Sequence, residues 1–209
     1  MIDPLSLLAF VPAALALNLT PGADMMFCLG QGLQSGRRSA LAASAGISAG
    51  GMVHVALAGL GLGAVVNSQP ALFDVIRWLG VAYLLYLAWG ALKPASVGAD
   101  PAQVAAPQAA DSFRAGFWVN LTNPKVILFV LAFVPQFVVP EAGPVLGQFL
   151  IYGLVLALGG FVINGLVGVF GSTAGRFLAP GSRSGIWLGR ISAGIFAGLA
   201  LRLALLQRT

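Results

Sequence analysis

Three ionisable side chains lie inside apolar segments of this 209-residue chain and are its main candidates for chemistry. They are Asp24, His54 and Lys125. An aspartate at membrane depth costs at least about 2.5 kcal/mol on insertion scales, so Asp24 should face the protein interior and have a partner. Because desolvation disfavours the charged form, Asp24 is predicted to carry a proton, with His54 or Lys125 tuning it.

Each of these residues also has a simpler interpretation. Asp24 could stabilise the N-terminus of a helix, where a negative charge is favourable. His54 could relay protons near neutral pH, or stay neutral and hydrogen-bonded between helices. Lys125 could pair with Asp24, bind a substrate carboxylate, or extend its ammonium group to the membrane interface.

A polar tripeptide occurs twice, each time beside a proline. Asn18-Leu19-Thr20 precedes Pro21-Gly22, and Asn120-Leu121-Thr122 precedes Asn123-Pro124. Proline removes a helix hydrogen bond and glycine is a poor helix former, so a helix break is predicted at both places. Irregular backbone at membrane depth needs a cavity, and free N–H groups at a helix start can bind a carboxylate. The predicted substrate-binding residues are Asn18, Thr20, Pro21, Gly22, Asn120, Asn123 and Pro124.

The composition identifies the elements that must position these residues. Hydrophobic residues make up 58% of the chain and charged residues only 8%, whereas a soluble domain has about 25% charged residues. A surface with so few charges must face lipid, and about 20 apolar residues cross a bilayer as a helix. The chain is predicted to be an all-α, polytopic membrane helix bundle, with spans at about 5–33, 40–65, 71–92, 115–139, 145–170 and 186–206.

The six predicted spans divide into two halves within a single transmembrane domain, 1–209. A first repeat at about 1–92 and a second at about 115–209 each hold three spans, joined by a cytoplasmic linker at about 93–114. An odd number of spans gives the halves opposite orientations, and spans one and four are the interrupted ones. Paired interrupted spans in inverted halves are typical of a transporter binding site near the midplane.

Lysine and arginine counts predict the orientation. The odd-numbered loops hold six basic residues and the opposite side three, so both termini are predicted to be periplasmic. The six are Arg37, Arg38, Lys93, Arg114, Arg176 and Arg183, and the three are Arg77, Arg202 and Arg208. No basic residue precedes Arg37, so the first apolar stretch is interpreted as a retained span rather than a secretory signal.

Several other function classes have little support. The net charge of +5 is thinly spread, without the basic cluster of a nucleic-acid-binding surface. Cys28 is the single cysteine, and the sequence has no metal-ligand cluster, phosphate-binding glycine loop or Ser-His-Asp arrangement. Neither a metal nor a cofactor is predicted, and the chain is not expected to be an enzyme.

The remaining polar and aromatic residues are interpreted as structural. Asn164 could hydrogen-bond substrate but is expected to bridge helices, and Tyr83 and Tyr86 could line a path but are expected to pack along span three. Trp78 and Trp89 are expected to anchor that span at the membrane interfaces. Glycines spaced by four residues predict close helix packing, either within the chain or in a homo-oligomer.

Several segments of the chain resemble the lysine exporter (LysE/RhtB) family of bacterial amino-acid exporters. Thr20-Pro21-Gly22-Ala23-Asp24 is similar to the family's Asn/Thr-Pro-Gly-Pro core, although Ala23 stands where the family usually has a second proline. The other similar features are Gly32, Gly36-Arg37-Arg38, Gly46, Gly50, His54, the stretch 78–89, the stretch 120–125, Phe129, Phe133 and Pro135-Gln136-Phe137. The resemblance covers most of the chain.

This resemblance implies export of an amino acid or a close derivative across the bacterial inner membrane, driven by the proton gradient. The family includes exporters of basic, hydroxylated and branched-chain amino acids, so the substrate stays open. A path with one acid and few other charges favours a neutral amino acid. The residues also allow a channel or uncoupled facilitator, or an intramembrane enzyme or membrane-organising protein.

Overall fold

The computed structural model describes residues 3–68, 70–92, 109–171, 173 and 182–205, and within them it contains helices and no strand. The predicted all-α fold is therefore confirmed. The α-helices are α1 (Pro4–Leu19), α2 (Ala23–Ser68), α3 (Pro70–Leu92), α4 (Ala109–Leu121), α5 (Pro124–Phe133), α6 (Val145–Val169) and α7 (Arg183–Leu205). Short 3-10 turns occupy Val134–Phe137 and Pro140–Ala142. The most extensive contacts join α2 to α6 and α4, and α3 to α7.

The first helix break lies where the sequence predicts it. Asp3 begins α1 by accepting a hydrogen bond at its Oδ2 from the backbone N–H of Ser6, at 3.2 Å. The helix ends at Leu19, and α2 begins at Ala23. The interruption therefore contains Thr20-Pro21-Gly22.

The second helix break also lies at its predicted position. Helix α4 ends at Leu121 and α5 begins at Pro124, with the segments 109–121 and 124–137 bent by 55°. The Oδ1 atom of Asn123 accepts a hydrogen bond from the backbone N–H of Lys125 at 3.0 Å, which caps α5. Proline at the first helical position needs no N–H partner, so the two residues together start the helix.

The expected loop between the first two predicted spans is instead a kink. Helix α2 continues through this region, and its one non-helical residue is Gly36, with φ 82° and ψ −176°. Only glycine adopts this backbone conformation readily, because it has no Cβ. A single residue therefore redirects the helix where the sequence predicted a connection of several residues.

Glycines allow α2 to pack closely against α6 and α4. A Cβ on Gly32 would collide with the carbonyl of Gly168 in α6, and one on Gly46 would collide with the carbonyl of Phe113 in α4. Both contacts are within the chain. At Gly194 and Gly198, by contrast, a Cβ would meet nothing within 4 Å.

An aromatic cluster holds the first break against the second half of the chain. The ring of Phe10 in α1 lies 5.6 Å from that of Phe133 and 4.9 Å from that of Tyr152, between centroids. Phe137 adds an edge contact at 5.3 Å, and its carbonyl accepts a hydrogen bond from the Tyr152 hydroxyl at 3.1 Å. These side chains are almost wholly buried, so α1 has a fixed position relative to α5 and α6.

Two helical segments of the described chain are long and apolar enough to cross a membrane, namely Ala23–Gly61 and Val145–Val169. A third crossing results if the bent pair α4 and α5 counts as one span. Shorter apolar helices occupy Pro4–Leu19, Val81–Leu92 and Ile186–Gly198.

Part of the predicted organisation falls outside the described residues. This applies to 93–108 of the linker, to Lys93, Arg176 and Arg208, and to the side chains of Arg77 and Arg202. Helix α4 begins at Ala109, before the expected end of the linker at about 114. Asp111 lies in its first turn and forms an exposed ion pair with Arg114 at 4.0 Å.

Candidate functional site

The Asp24 carboxylate lies in the first turn of α2 and faces the second helix break. Its Oδ2 accepts a hydrogen bond from the Asn120 side-chain amide at 2.8 Å, and its Oδ1 accepts one from the Asn123 amide at 3.0 Å. Asn120 and Asn123 are 3% and 6% exposed, so these donors are held inside the bundle. The acid of the first break is therefore bound by the two asparagines of the second.

Lys125 makes the opposite connection, from the second break to the first. Its ammonium group donates hydrogen bonds to the carbonyls of Leu17 and Thr20, at 2.8 and 2.7 Å. These carbonyls belong to the last turn and the cap of α1, where a helix leaves its acceptors unpaired. A cation at a helix C-terminus is also electrostatically favourable, as is the Asp24 carboxylate at the N-terminus of α2.

The two charged groups bind separate partners rather than each other. Within the described residues, no ion pair joins the Asp24 carboxylate to the Lys125 ammonium group. The simpler interpretation of Asp24 as a helix-N-terminal carboxylate agrees with its position, and it coexists with the amide contacts. The interpretation that Lys125 extends its ammonium group to the membrane interface does not agree with the two hydrogen bonds that this group donates to α1 and its cap.

The His54 side chain contacts this network at the backbone of Asn120. Its Nε2 lies 3.2 Å from the carbonyl oxygen of Asn120, so α2 contacts the end of α4 directly beside Asp24. The Oδ1 atom of Asn120 is buried without a hydrogen-bond partner among the described residues. A buried unpaired acceptor is uncommon, and it lies on the amide that holds the acid.

Asn18 and Thr20 direct their side chains elsewhere. The Asn18 amide donates to the carbonyl of Leu156 in α6 at 3.1 Å, and the Thr20 hydroxyl donates to the carbonyl of Ala16 at 2.6 Å. Thr20 thus reaches Lys125 through its carbonyl and not through its hydroxyl. Both residues nevertheless line the cavity beside Asp24.

The predicted cavity between the breaks exists and is small. Its volume is about 20 Å³, and it is lined by Leu17, Asn18, Thr20, Gly22, Asp24, Met25, Asn123, Lys125, Val126 and Asn164. That volume holds about one water molecule and no amino acid. Pro21 and Pro124 line a second, open groove that Lys125 also lines, and Asn120 lines neither space, so the predicted set does not surround one cavity.

Sequence reasoning missed two contributors to this site. Leu17 acts through its carbonyl oxygen, for which a side-chain pattern carries no signal. Tyr83, interpreted as packing, donates a hydrogen bond from its hydroxyl to the Lys125 carbonyl at 3.1 Å. Asn164, expected to bridge helices, is 4% exposed and lines the cavity. Among the described residues, no cluster of three or more His, Cys, Asp or Glu could hold a metal ion.

Apolar helices and two broken segments that bind each other define a helical membrane protein. The family model for the LysE type translocator matches residues 15–207. The chain therefore belongs to the LysE family, as predicted, and it is a member of a transporter family rather than an enzyme.

Relatives with efflux names support the same assignment. The chain is 35% identical over 148 residues to a homoserine/homoserine lactone efflux protein of Salmonella typhimurium, which covers 70% of each chain. It is 30% identical over 204 residues to a leucine efflux protein of Klebsiella pneumoniae, which covers 97% of this chain and 96% of the relative. It is also 34% identical over 172 residues to an uncharacterized membrane protein of Vibrio cholerae, covering 80% and 78% of the two chains. No solved structure matches the chain.

Proposed function

We propose that this protein exports a neutral amino acid or a close derivative across the bacterial inner membrane, in exchange for protons. Membership of the LysE family supports export, and the relatives named for homoserine and leucine efflux support an amino acid as the substrate. The observation that carries the mechanism is the crossed hydrogen bonding between the two helix breaks, Asp24 with Asn120 and Asn123, and Lys125 with α1.

The proposed topology has six crossings in two inverted halves of three. The segment Ala23–Gly61 has 39 residues, which would extend about 58 Å as a straight helix against about 30 Å of hydrocarbon. The kink at Gly36 resolves this excess by dividing α2 between two crossings. Helix α1 with the first part of α2 then forms span one, and α4 with α5 forms span four. Both termini lie in the periplasm in this arrangement.

The site suits a zwitterion because its acid and base are held apart. A substrate α-ammonium group can replace the two asparagine amides at Asp24, and a substrate carboxylate can replace the two carbonyls at Lys125. Since the described cavity has a volume of about 20 Å³, substrate entry requires the two breaks to separate. Separation would break both sets of contacts, and the substrate would restore them. Asn18, Thr20, Gly22 and Asn123 line this space, and Asn120 contacts its acid, Asp24.

The Asn120 amide allows Asp24 to carry a proton. In the described arrangement, the amide nitrogen donates to the carboxylate and Oδ1 has no partner. Rotating the amide by half a turn would present Oδ1 to a protonated Asp24 as an acceptor. The amide can therefore hydrogen-bond Asp24 in both protonation states, as a donor to the carboxylate and as an acceptor from the carboxylic acid. His54 and Lys125 tune this exchange from the neighbouring positions.

The test is efflux from membrane vesicles that contain purified protein. We expect Asp24→Asn to abolish export against a gradient while leaving expression and folding intact, because the variant keeps the shape but cannot carry a proton. Asp111→Asn is the matched control, since Asp111 is exposed and contacts only the exposed Arg114. Full export by Asp24→Asn would remove Asp24 from the mechanism.

A protonophore distinguishes the proposed antiporter from an uncoupled facilitator with the same fold. Antiport predicts that accumulation against the gradient stops when the proton gradient is dissipated. Flow that only follows the amino-acid gradient, and that a protonophore does not change, would identify a facilitator.

A further inference from the structure

An open groove lies between the two helix breaks and α3. Its volume is about 520 Å³. We call it the tyrosine groove, and its defining residues are Thr20, Pro21, Tyr83, Tyr86, Gly90 and Lys125. A volume of this size is in the range of small-molecule sites, which is about 300–1,000 Å³. The cavity beside Asp24, in contrast, holds no more than a water molecule.

The walls of the tyrosine groove are mostly apolar. Its polar groups lie at the inner end, which is where Thr20 and Lys125 also line the Asp24 cavity. The rings of Tyr83 and Tyr86 are stacked with centroids 5.9 Å apart and form one wall. Pro21 and Pro124 form another, and the charged residue of the lining is Lys125. This arrangement suits a ligand with an uncharged, apolar portion and one anionic end.

The groove adjoins the Asp24 cavity, and two residues contribute to both spaces. Thr20 and Lys125 line both spaces. The Lys125 ammonium group binds the Thr20 carbonyl at 2.7 Å, so this contact is the partition between them. Tyr83, which lines the groove, also contacts Lys125, because its hydroxyl donates a hydrogen bond to the Lys125 carbonyl at 3.1 Å.

We propose that the tyrosine groove binds the apolar side chain of the exported amino acid while the substrate carboxylate draws Lys125 away from α1. This inference rests on the proposed function and adds that substrate size is selected at α3. A lipid acyl chain is the competing occupant. The polar inner end favours the amino acid, because an acyl chain has no group that would pair with an ammonium.

Gly90 allows the groove to be filled without disturbing the fold. A Cβ at this exposed position in α3 would meet no heavy atom within 4 Å. Leucine is also a better helix former than glycine. Gly90→Leu should therefore shrink the groove and preserve the helix. Gly194→Leu in α7 is the matched control, since a Cβ there also meets nothing within 4 Å.

The experiment measures export of leucine and of alanine by vesicles containing each variant. We expect Gly90→Leu to lower leucine export about tenfold or more and alanine export less than about twofold, as for a pocket that loses room for a side chain. Gly194→Leu should export both like the unmodified protein. Gly90→Cys offers a second measurement: leucine should slow its labelling by a maleimide, against little background because Cys28 is buried.

The outcomes separate this inference from the function on which it rests. If the unmodified protein exports no neutral amino acid or close derivative, whether leucine, alanine or another, the proposed function fails and the inference fails with it. If it exports both, and Gly90→Leu does so equally well, the groove is not a substrate site and the proposed function stands. Equal loss of both amino acids, or labelling slowed by lipid but not by leucine, would also overturn the inference.

Discussion

The two helix breaks begin alike and are completed differently. Thr20 and Thr122 each donate a hydrogen bond from the hydroxyl to the carbonyl four residues earlier, at 2.6 and 2.9 Å. Their backbone N–H groups bond to the same carbonyls, at 3.0 Å in both cases. The repeated Asn-Leu-Thr tripeptide therefore ends both helices by the same local means.

One additional residue distinguishes the second break from the first. Proline follows Thr20 directly, whereas Asn123 stands between Thr122 and Pro124. Asn123 caps α5 with its Oδ1 and donates to Asp24 with its amide nitrogen. The second break thus caps its own next helix, while the first depends on Lys125, more than 100 positions away, to satisfy the carbonyls of α1. The comparison indicates that the second break is formed locally and that the first is completed by it.

Among the variants that test this comparison, Lys125→Met should lower export the most. The variant leaves the two α1 carbonyls without a cation, and charge-assisted hydrogen bonds contribute about 1.5 kcal/mol each. Since about 1.4 kcal/mol corresponds to a factor of ten, export should fall about a hundredfold. Vesicle efflux and thermal unfolding in detergent are the measurements.

Arg114→Met serves as the control for Lys125→Met, because the Arg114 side chain is 78% exposed. It should change neither efflux nor unfolding measurably. Near-normal export by Lys125→Met would show that the first break does not need the second.

A smaller effect should separate the two asparagines of the repeated tripeptide. Asn120→Ala removes a donor to a charged group, which contributes about 1.5–3 kcal/mol, so export should fall about tenfold or more. Asn18→Ala removes a neutral hydrogen bond to Leu156, which contributes about 0.5–1.5 kcal/mol, so export should fall less, by about two- to tenfold. Initial efflux rates from vesicles with equal protein content test this difference. Equal losses would mean that both asparagines contact substrate alike.

The helix cap is the smallest of these contributions, and substitutions at Asn123 separate it from the amide contact to Asp24. Asn123→Ala removes both the helix cap and the amide donor, and a lost cap costs about 1 kcal/mol of stability. Asn123→Ser retains a capping oxygen and loses the amide, so relative to Asn123→Ala it should recover the part of the unfolding temperature that depends on the cap, but not the efflux rate. If serine restored both, the amide contact to Asp24 would be unimportant.

The all-helical membrane fold and the two break positions follow from local rules in the sequence. A chain with 8% charged residues has too few charges for a water-facing surface, and both breaks lie at a proline that removes a helix hydrogen bond, Pro21 and Pro124, although Pro12 lies within the continuous helix α1. Asp24 and Lys125 were identified because a charge in an apolar segment is costly and needs a partner. The continuation of α2 through Gly36 was not predicted, since a single glycine can form either a loop or a kink.

The partners of the charged groups were decided by the tertiary structure alone. From the sequence, Lys125 could contact Asp24, a substrate carboxylate or the membrane interface. In the fold it binds two backbone carbonyls. Every residue has such a carbonyl, so a sequence carries no signal for this contact. Tyr83 contacts Lys125 because α3 lies against α5 with a particular rotation. Composition and helix breaking depend on neighbouring residues, whereas these contacts join residues about 40 to 110 positions apart and depend on how the helices pack.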